Sequence, residues 1–299
     1  MAGVNNEITF FLPGMFFCNG QTGNYPTVSI TGDKCALDCE HCHGQLLKTM
    51  LPADTPEKLY EQCCRLKEKG AVGLLISGGC DEKGRLPWEP FLPVINKIKK
   101  NLNLIISVHS GIVDEKTAKG LKRSGVSQVL IDVIGDDETY KKIYHVPFGT
   151  EQIENSLKAL ASAGLPTVPH VVCGLYFGKI RGEFEAIKMI SRYKPAQVVI
   201  VAYMPLAGAD ISSFTIPNED EVEKVILFAR QTMPDVPISL GCARQRGNTQ
   251  MEIKAIKAGV SRMAIPSDEA IDFARSLGLT IHFQKTCCCV NEMFSDTQW

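Results

Sequence analysis

The chain lacks a strong charge of either sign. Its 299 residues carry 32 Lys and Arg against 33 Asp and Glu, a formal net charge of −1. Such a balance leaves no electrostatic footprint for nucleic acid or an anionic membrane. The short basic stretch "KIKK" at 97–100 reads as a solvated helix face. No run approaches the roughly 18 apolar residues of a membrane helix. The opening "MAGVNNEITFFLPGMFF" has no basic n-region, and Pro13 and Gly14 break its apolar run. No secretory leader is expected there, and the expected location is cytoplasmic. No Gly-x-Gly-x-x-Gly turn follows the first strand-like run, which argues against a dinucleotide enzyme. No Pro-, Gly- or Ser-rich linker divides the chain, so one large domain is expected.

Cysteine is plentiful, with twelve residues. In a reducing compartment they read as metal ligands, reactive thiols or small buried side chains rather than disulfides. Three of them, Cys35, Cys39 and Cys42, fall within "KCALDCEHCHG" at 34–44.

A repeated rhythm supplies the frame. In "KEKG-AVGLLIS" (67–77), "KRSG-VSQVLID" (122–132), "ASAG-LPTVPHVV" (161–172), "IKAG-VSRMAIP" (257–266) and "RSLG-LTIHF" (275–283), a polar helical stretch reaches a glycine and a strand-like run follows. Glycine at that position closes a helix because it accepts the left-handed backbone. The runs at 27–31, 103–108, 197–203 and 236–240 fit the same strand role. Thr55 before Pro56, and Asn218 three residues before Glu221, read as helix starts. Strand–helix alternation about eight times, in about 250 residues, predicts a (β/α)8 barrel of the TIM type, complete or nearly so. A doubly wound open sheet is the alternative. Residues 1–25 read as an N-terminal extension, 26–285 as the barrel, and 286–299 as a Cys-rich tail.

The three clustered cysteines follow the first of these strands, and loops after barrel strands form the active face. Three chemistries compete for them. Zinc wants four ligands, often as two pairs, and His41 or His43 would supply the fourth; the spacing is not that of a usual zinc knuckle. "CEHCH" at 39–43 matches the haem-attachment string Cys-x-x-Cys-His, which belongs to exported proteins. Three thiolates also suit a 4Fe–4S cluster with one iron left open.

Cys35-x3-Cys39-x2-Cys42 resembles the signature of the radical S-adenosylmethionine (SAM) superfamily. The resemblance implies a 4Fe–4S cluster whose open iron chelates the amino and carboxylate groups of SAM. Reductive cleavage then gives a 5′-deoxyadenosyl radical that takes hydrogen from unactivated carbon. It places His41, before the third cysteine, near the adenine. "SGGC" at 77–80 matches the turn that meets the methionine amino group, through Gly78 and Gly79, with Cys80 where Glu is common. "GLYFGKIR" at 174–181 keeps Gly174 and Gly178 of a fifth-strand motif, with Tyr176 and Arg181 as departures.

A full barrel resembles the biotin synthase and lipoyl synthase branch. Biotin synthases hold a second cluster on three barrel cysteines and an arginine. The matching positions here are Leu75, Ser107 and His170, with Arg244 for the arginine. Lipoyl synthases build theirs from cysteines outside the barrel core. Cys287, Cys288 and Cys289 follow the last strand and are expected on the active face, at most two of them ligating, joined by Cys18 or Cys242. A frayed tail without ligands is the alternative. The two-protein lipoyl synthases are the family proposed, which implies an octanoylated carrier domain as substrate. It also implies a ferredoxin or flavodoxin as electron donor and a second radical SAM protein as partner. A small-molecule mutase or methylase, or a non-enzymatic iron–sulfur scaffold, are the alternatives. Cys63, Cys64 and Cys173 read as packing residues.

Overall fold

The computed structural model describes residues 6–206, 214–292, 294 and 299. Among the described residues, eight strands pair in sequence order, each parallel to the next. They are Thr27–Ser29, Gly73–Ser77, Ile105–His109, Gln128–Asp132, Thr167–Cys173, Val198–Ala202, Ile238–Leu240 and Arg262–Ala264. A helix of nine residues or more follows every one, from Pro56–Glu68 to Asp268–Ser276. This is the (β/α)8 architecture the glycine-punctuated rhythm predicts. The helix starts also agree: the Thr55 hydroxyl accepts from the Lys58 amide, and the Asn218 side chain from the Glu221 amide.

Alternation along the strands divides the buried side chains into two layers. Leu74, Ile76, Ile106, Val108, Val129 and Ile131 point outward and pack under the helices. Leu75, Ile105, Leu130, Val168 and Val199 point inward and fill the lower lumen. The sheet curls, and its ladder stays open between Thr280–Gln284 and the short strand Leu51–Pro52, which pairs with Thr27–Ser29. Asn24 bridges that seam: its amide donates to the Lys285 carbonyl (2.7 Å), and its own carbonyl accepts from Val72 (3.1 Å).

Both ends of the chain differ from the expectation. Glu7–Phe11 lies in the sheet between Arg262–Ala264 and Thr280–Gln284, with Phe11 opposite both Ala264 and Gln284. Ile8, Phe10 and Leu12 are fully buried. The strand order therefore starts at Glu7 rather than at residue 26, because an apolar strand with two partners is more stable paired than trailing.

The tail does not emerge on the active face. Cys287–Val290 turns back into the lumen, where Cys288, Cys289 and Val290 are buried against Phe11, Tyr25 and Leu130. The Gln128 side-chain amide donates to the Cys289 carbonyl (2.6 Å) and that of Gln197 to the Cys288 carbonyl (2.8 Å). The Arg262 guanidinium donates to the carbonyls of Cys288 and Val290. Gln128 and Arg262 open their strands and Gln197 immediately precedes Val198–Ala202, so the tail reaches down the lumen towards the strand starts. Its backbone carbonyls need donors once buried, and these three side chains supply them. Gln128→Leu would leave a buried carbonyl unpaired, which costs about 1–3 kcal/mol. A lowered urea midpoint is expected; an unchanged midpoint would mean the tail is not held there.

Candidate active site

The cysteine loop follows Thr27–Ser29 and is pinned on two sides. Towards the next strand, the Ala36 amide donates to the Cys80 carbonyl (2.7 Å) and the Gly79 amide to the Thr31 hydroxyl (2.7 Å). Towards the strand Gln128–Asp132, the Glu40 amide donates to the Ile143 carbonyl (2.9 Å), and the Glu40 carboxylate meets the His145 ring nitrogen at 2.7 Å. The amides of Cys42 and His43 both donate to the Cys39 carbonyl (2.9 Å each), which folds the second and third cysteines together. Cys39 is buried, Cys42 half-buried and Cys35 exposed.

All three cysteines line one cavity of about 210 Å³, together with His41, Gly78, Gly79 and Cys80. A Cβ on Gly79 would stand 2.1 Å from the Lys34 carbonyl oxygen and 2.6 Å from both Cα and Cβ of Cys35. The glycine is thus required by the cysteine loop itself. Gly174 does not line this cavity. Its φ of +76° and a Pro217 side chain 2.8 Å from a built Cβ account for it, and its amide donates to the Glu183 carboxylate (2.8 Å).

The second group of cysteines is partly assembled. Cys242, Cys287, Cys288 and Cys289 share the lumen cluster, whereas Cys18 packs against the helix-side core. Cys18 is therefore not placed with the tail thiols. Arg244 is not a lumen residue free to act as a ligand. Its guanidinium is locked to Glu252 (2.6 Å) and to the carbonyls of Gly241 and Ile265. The arginine beside the tail is Arg262. Leu75 and Ser107 do face the lumen, and Ser107 hydrogen-bonds the Tyr25 hydroxyl at 2.6 Å. Cys63 and Cys173 are buried in the core, as packing residues should be.

Sequence reasoning missed Asp132 and His109, and took His170 only as a matching position. His109 and Asp132 are ion-paired at 3.4 Å and line the cavity, and the His109 and His170 rings lie 5.6 Å apart. The available signal was a charged or imidazole residue closing an apolar strand, as in "IISVH" and "QVLID". Asp132 sits deep in the barrel, yet its side chain keeps 40% of its exposure towards the cavity. Burial would raise its pKa, but the His109 charge beside it prevails and holds it at about 2. For His109 burial is again opposed by the partner, and the Asp132 carboxylate keeps the pKa above the usual histidine value. Burial, then the His109 charge, brings His170 down to about 4.

The donor set suits the cluster the motif implies. Among the described residues no three His, Cys, Asp or Glu side chains converge on a single metal ion. A cubane does not need that, because each thiolate binds its own iron. Burial and the neighbouring thiols Cys35, Cys42 and Cys80 push the Cys39 thiol well up, a penalty that a cationic cluster removes. His41, its ring tilted against that of Tyr144 at 5.0 Å, has a buried Nδ1 without a partner among the described residues. Such an atom beside a cavity suits a bound cofactor. The residues fit.

Residues 29–187, just over half of the chain, match the Radical SAM superfamily. The chain belongs to the radical SAM superfamily. Its cofactors are accordingly a 4Fe–4S cluster and SAM. Biotin synthase of Coxiella burnetii is 23% identical over 242 residues, covering 78% of this chain and 74% of that protein. Biotin synthase of Leptospira interrogans is 18% identical over 221 residues, covering 73% of this chain. The chain spans only 62% of the length of that Leptospira enzyme. HydG, a maturase of the [FeFe]-hydrogenase, shares the fold with a TM-score of 0.64 and 18% identity, over 93% of this chain and 65% of its own. Methylornithine synthase does so with a TM-score of 0.60 and 16% identity, over 93% and 84%. No helix among the described residues is long and apolar enough to cross a membrane.

Two outcomes are expected. Gly79→Val should dislodge the cysteine loop and lower bound iron after anaerobic reconstitution, rather than weaken SAM binding alone; full iron content would contradict the close approach. The second concerns pH. Asp132 is held below its ordinary 3.8, so its contribution to stability is present above about pH 4 and fades as pH falls towards 2. His109 is held above its ordinary 6.5, so its contribution is full below that pH and fades as pH rises through the folded value. Asp132→Asn should bring the His109 pKa below 6.5, since burial then acts unopposed. An NMR titration of the His109 ring protons checks the direction.

Proposed function

We propose that the chain is a sulfur-inserting radical SAM enzyme of the lipoyl synthase type, acting in the cytoplasm on an octanoylated carrier domain. Cys35, Cys39 and Cys42 would hold the SAM-binding 4Fe–4S cluster, with His41 and Gly78 beside the cofactor. When bound, that cluster and SAM supply the radical that removes hydrogen from an unactivated carbon. The chain's part is to hold the loop, shape the cavity and exclude water. Leu37, Leu46, Leu47, Met50, Ile112 and Phe148 give the cavity an apolar wall, which suits an acyl chain.

One observation carries the sulfur-inserting reading. Leu75, Ser107 and His170 stand where a biotin synthase would carry lumen cysteines, and the tail brings thiols into that same lumen from another direction. Cys287 and Cys288 border Cys242, and Arg262 stands beside all three tail thiols. We assign to Cys242 and two of the tail cysteines the ligands of a second, sulfur-donating cluster, with a ferredoxin or flavodoxin supplying electrons and a second radical SAM protein sharing the insertions.

A second reading keeps one cluster and a small polar substrate, and the His109–Asp132–His170 group at the cavity favours it. One experiment separates the two. Changing Cys287, Cys288 and Cys289 to Ser replaces soft donors by poor ones. On the sulfur-inserting reading, bound iron falls by on the order of four atoms, a cubane's worth; SAM cleavage persists and sulfur transfer stops. On the second reading, iron and product are unchanged.

A further inference from the structure

The turn "SGGC" puts a fourth thiol beside the three of the motif. Cys80 lines the same cavity as Cys35, Cys39 and Cys42. It also lines the adjoining surface cleft with Cys35, so these two thiols stand at the passage between the spaces. Its own carbonyl accepts from Ala36, the residue after Cys35, at 2.7 Å. The missing Cβ of Gly79 lets the backbone before Cys80 approach Cys35 to contact distance. Cys80 stands where the superfamily commonly has Glu, and a thiolate is a far better ligand for iron than a carboxylate is.

We propose that Cys80 is an exchangeable fourth ligand of the cluster. It closes the iron that three cysteines leave open when SAM is absent, and withdraws when SAM binds. The exchange breaks the iron–sulfur bond to Cys80 and forms bonds from the SAM amino nitrogen and carboxylate oxygen. No electrons move, and the freed thiolate takes up the proton that the SAM ammonium loses. The cap keeps a cluster at an open barrel mouth from losing its fourth iron between turnovers. This rests on Cys35, Cys39 and Cys42 holding the cluster, and the test reads that separately.

The protein, reconstituted anaerobically without SAM, is treated with a mild oxidant, and the 3Fe–4S electron paramagnetic resonance signal that marks loss of the open iron is measured. The parent should resist, and Cys80→Ala should give a signal at least severalfold larger. Cys80→Ala should also bind SAM more tightly, because no protein ligand must leave. Equal signals and equal affinities would overturn the proposal. A second measurement needs no variant: in the loaded parent, alkylation of Cys80 by iodoacetamide, read by mass spectrometry, should accelerate at least severalfold when SAM is added. The same rate with and without SAM would overturn it as well. A Cys35, Cys39 and Cys42 triple Ala variant serves as control. If it still holds the cluster, the assignment of those three ligands fails, whatever Cys80 does.

Discussion

The rest of the site depends on one close approach. The backbone at Gly79 lies so near Lys34 and Cys35 that a single methyl group would overlap both. This contact fastens the loop after the first barrel strand to the end of the second, and hydrogen bonds from Ala36 and to Thr31 complete the joint. A loop bearing three thiols has every electrostatic reason to spread, because each ionised sulfur raises the cost of the next. The scaffold opposes that spreading from two directions, with Gly79 on one side and the Glu40–His145 pair on the other. Residues this well held cost little further ordering when a cofactor arrives.

The barrel was legible in the sequence because its signals are local. Glycine after a helix and an apolar run after the glycine each act within a few residues, and the five such runs, with four plain apolar runs, are strands in the structure. Cys35, Cys39 and Cys42 were legible as a motif for the same reason, since spacing within one loop is a local property. What escaped is long-range. Glu7–Phe11 has an ordinary apolar pattern, and nothing near it says that its partners lie more than 250 residues away. The tail thiols illustrate the opposite error. A rule about strand ends put them on the active face, but buried donors on Gln128, Gln197 and Arg262 draw the backbone the other way. Those polar residues at strand starts were the overlooked signal.

His109, Asp132 and His170 escaped for a third reason. Each sits in a run dominated by apolar residues, and only side-chain alternation, residue by residue, turns them into one lumen. Within a strand, positions two apart share a face, about 6.6 Å apart. His109 therefore stands above Ser107, Asp132 above Leu130, and His170 above Val168. The lower members of the last two pairs pack on the tail, Ser107 meets Tyr25, and the upper members meet at the level of the cavity.

That layering constrains any chemistry in the barrel. The tail fills the lower lumen, so a substrate reaching the cysteine loop enters from the mouth and meets the polar layer before it meets the tail thiols. A small polar substrate stops at His109 and Asp132, which offer a donor and an acceptor already paired. An acyl chain fares differently. It gains from the apolar wall around Leu46 and Phe148 but finds the ion pair across its path to the tail. Sulfur insertion from the tail therefore requires the polar layer to turn aside or to bind the acyl group's carbonyl end, whereas single-cluster chemistry requires neither. The ion pair is the group on which the two readings make opposite demands.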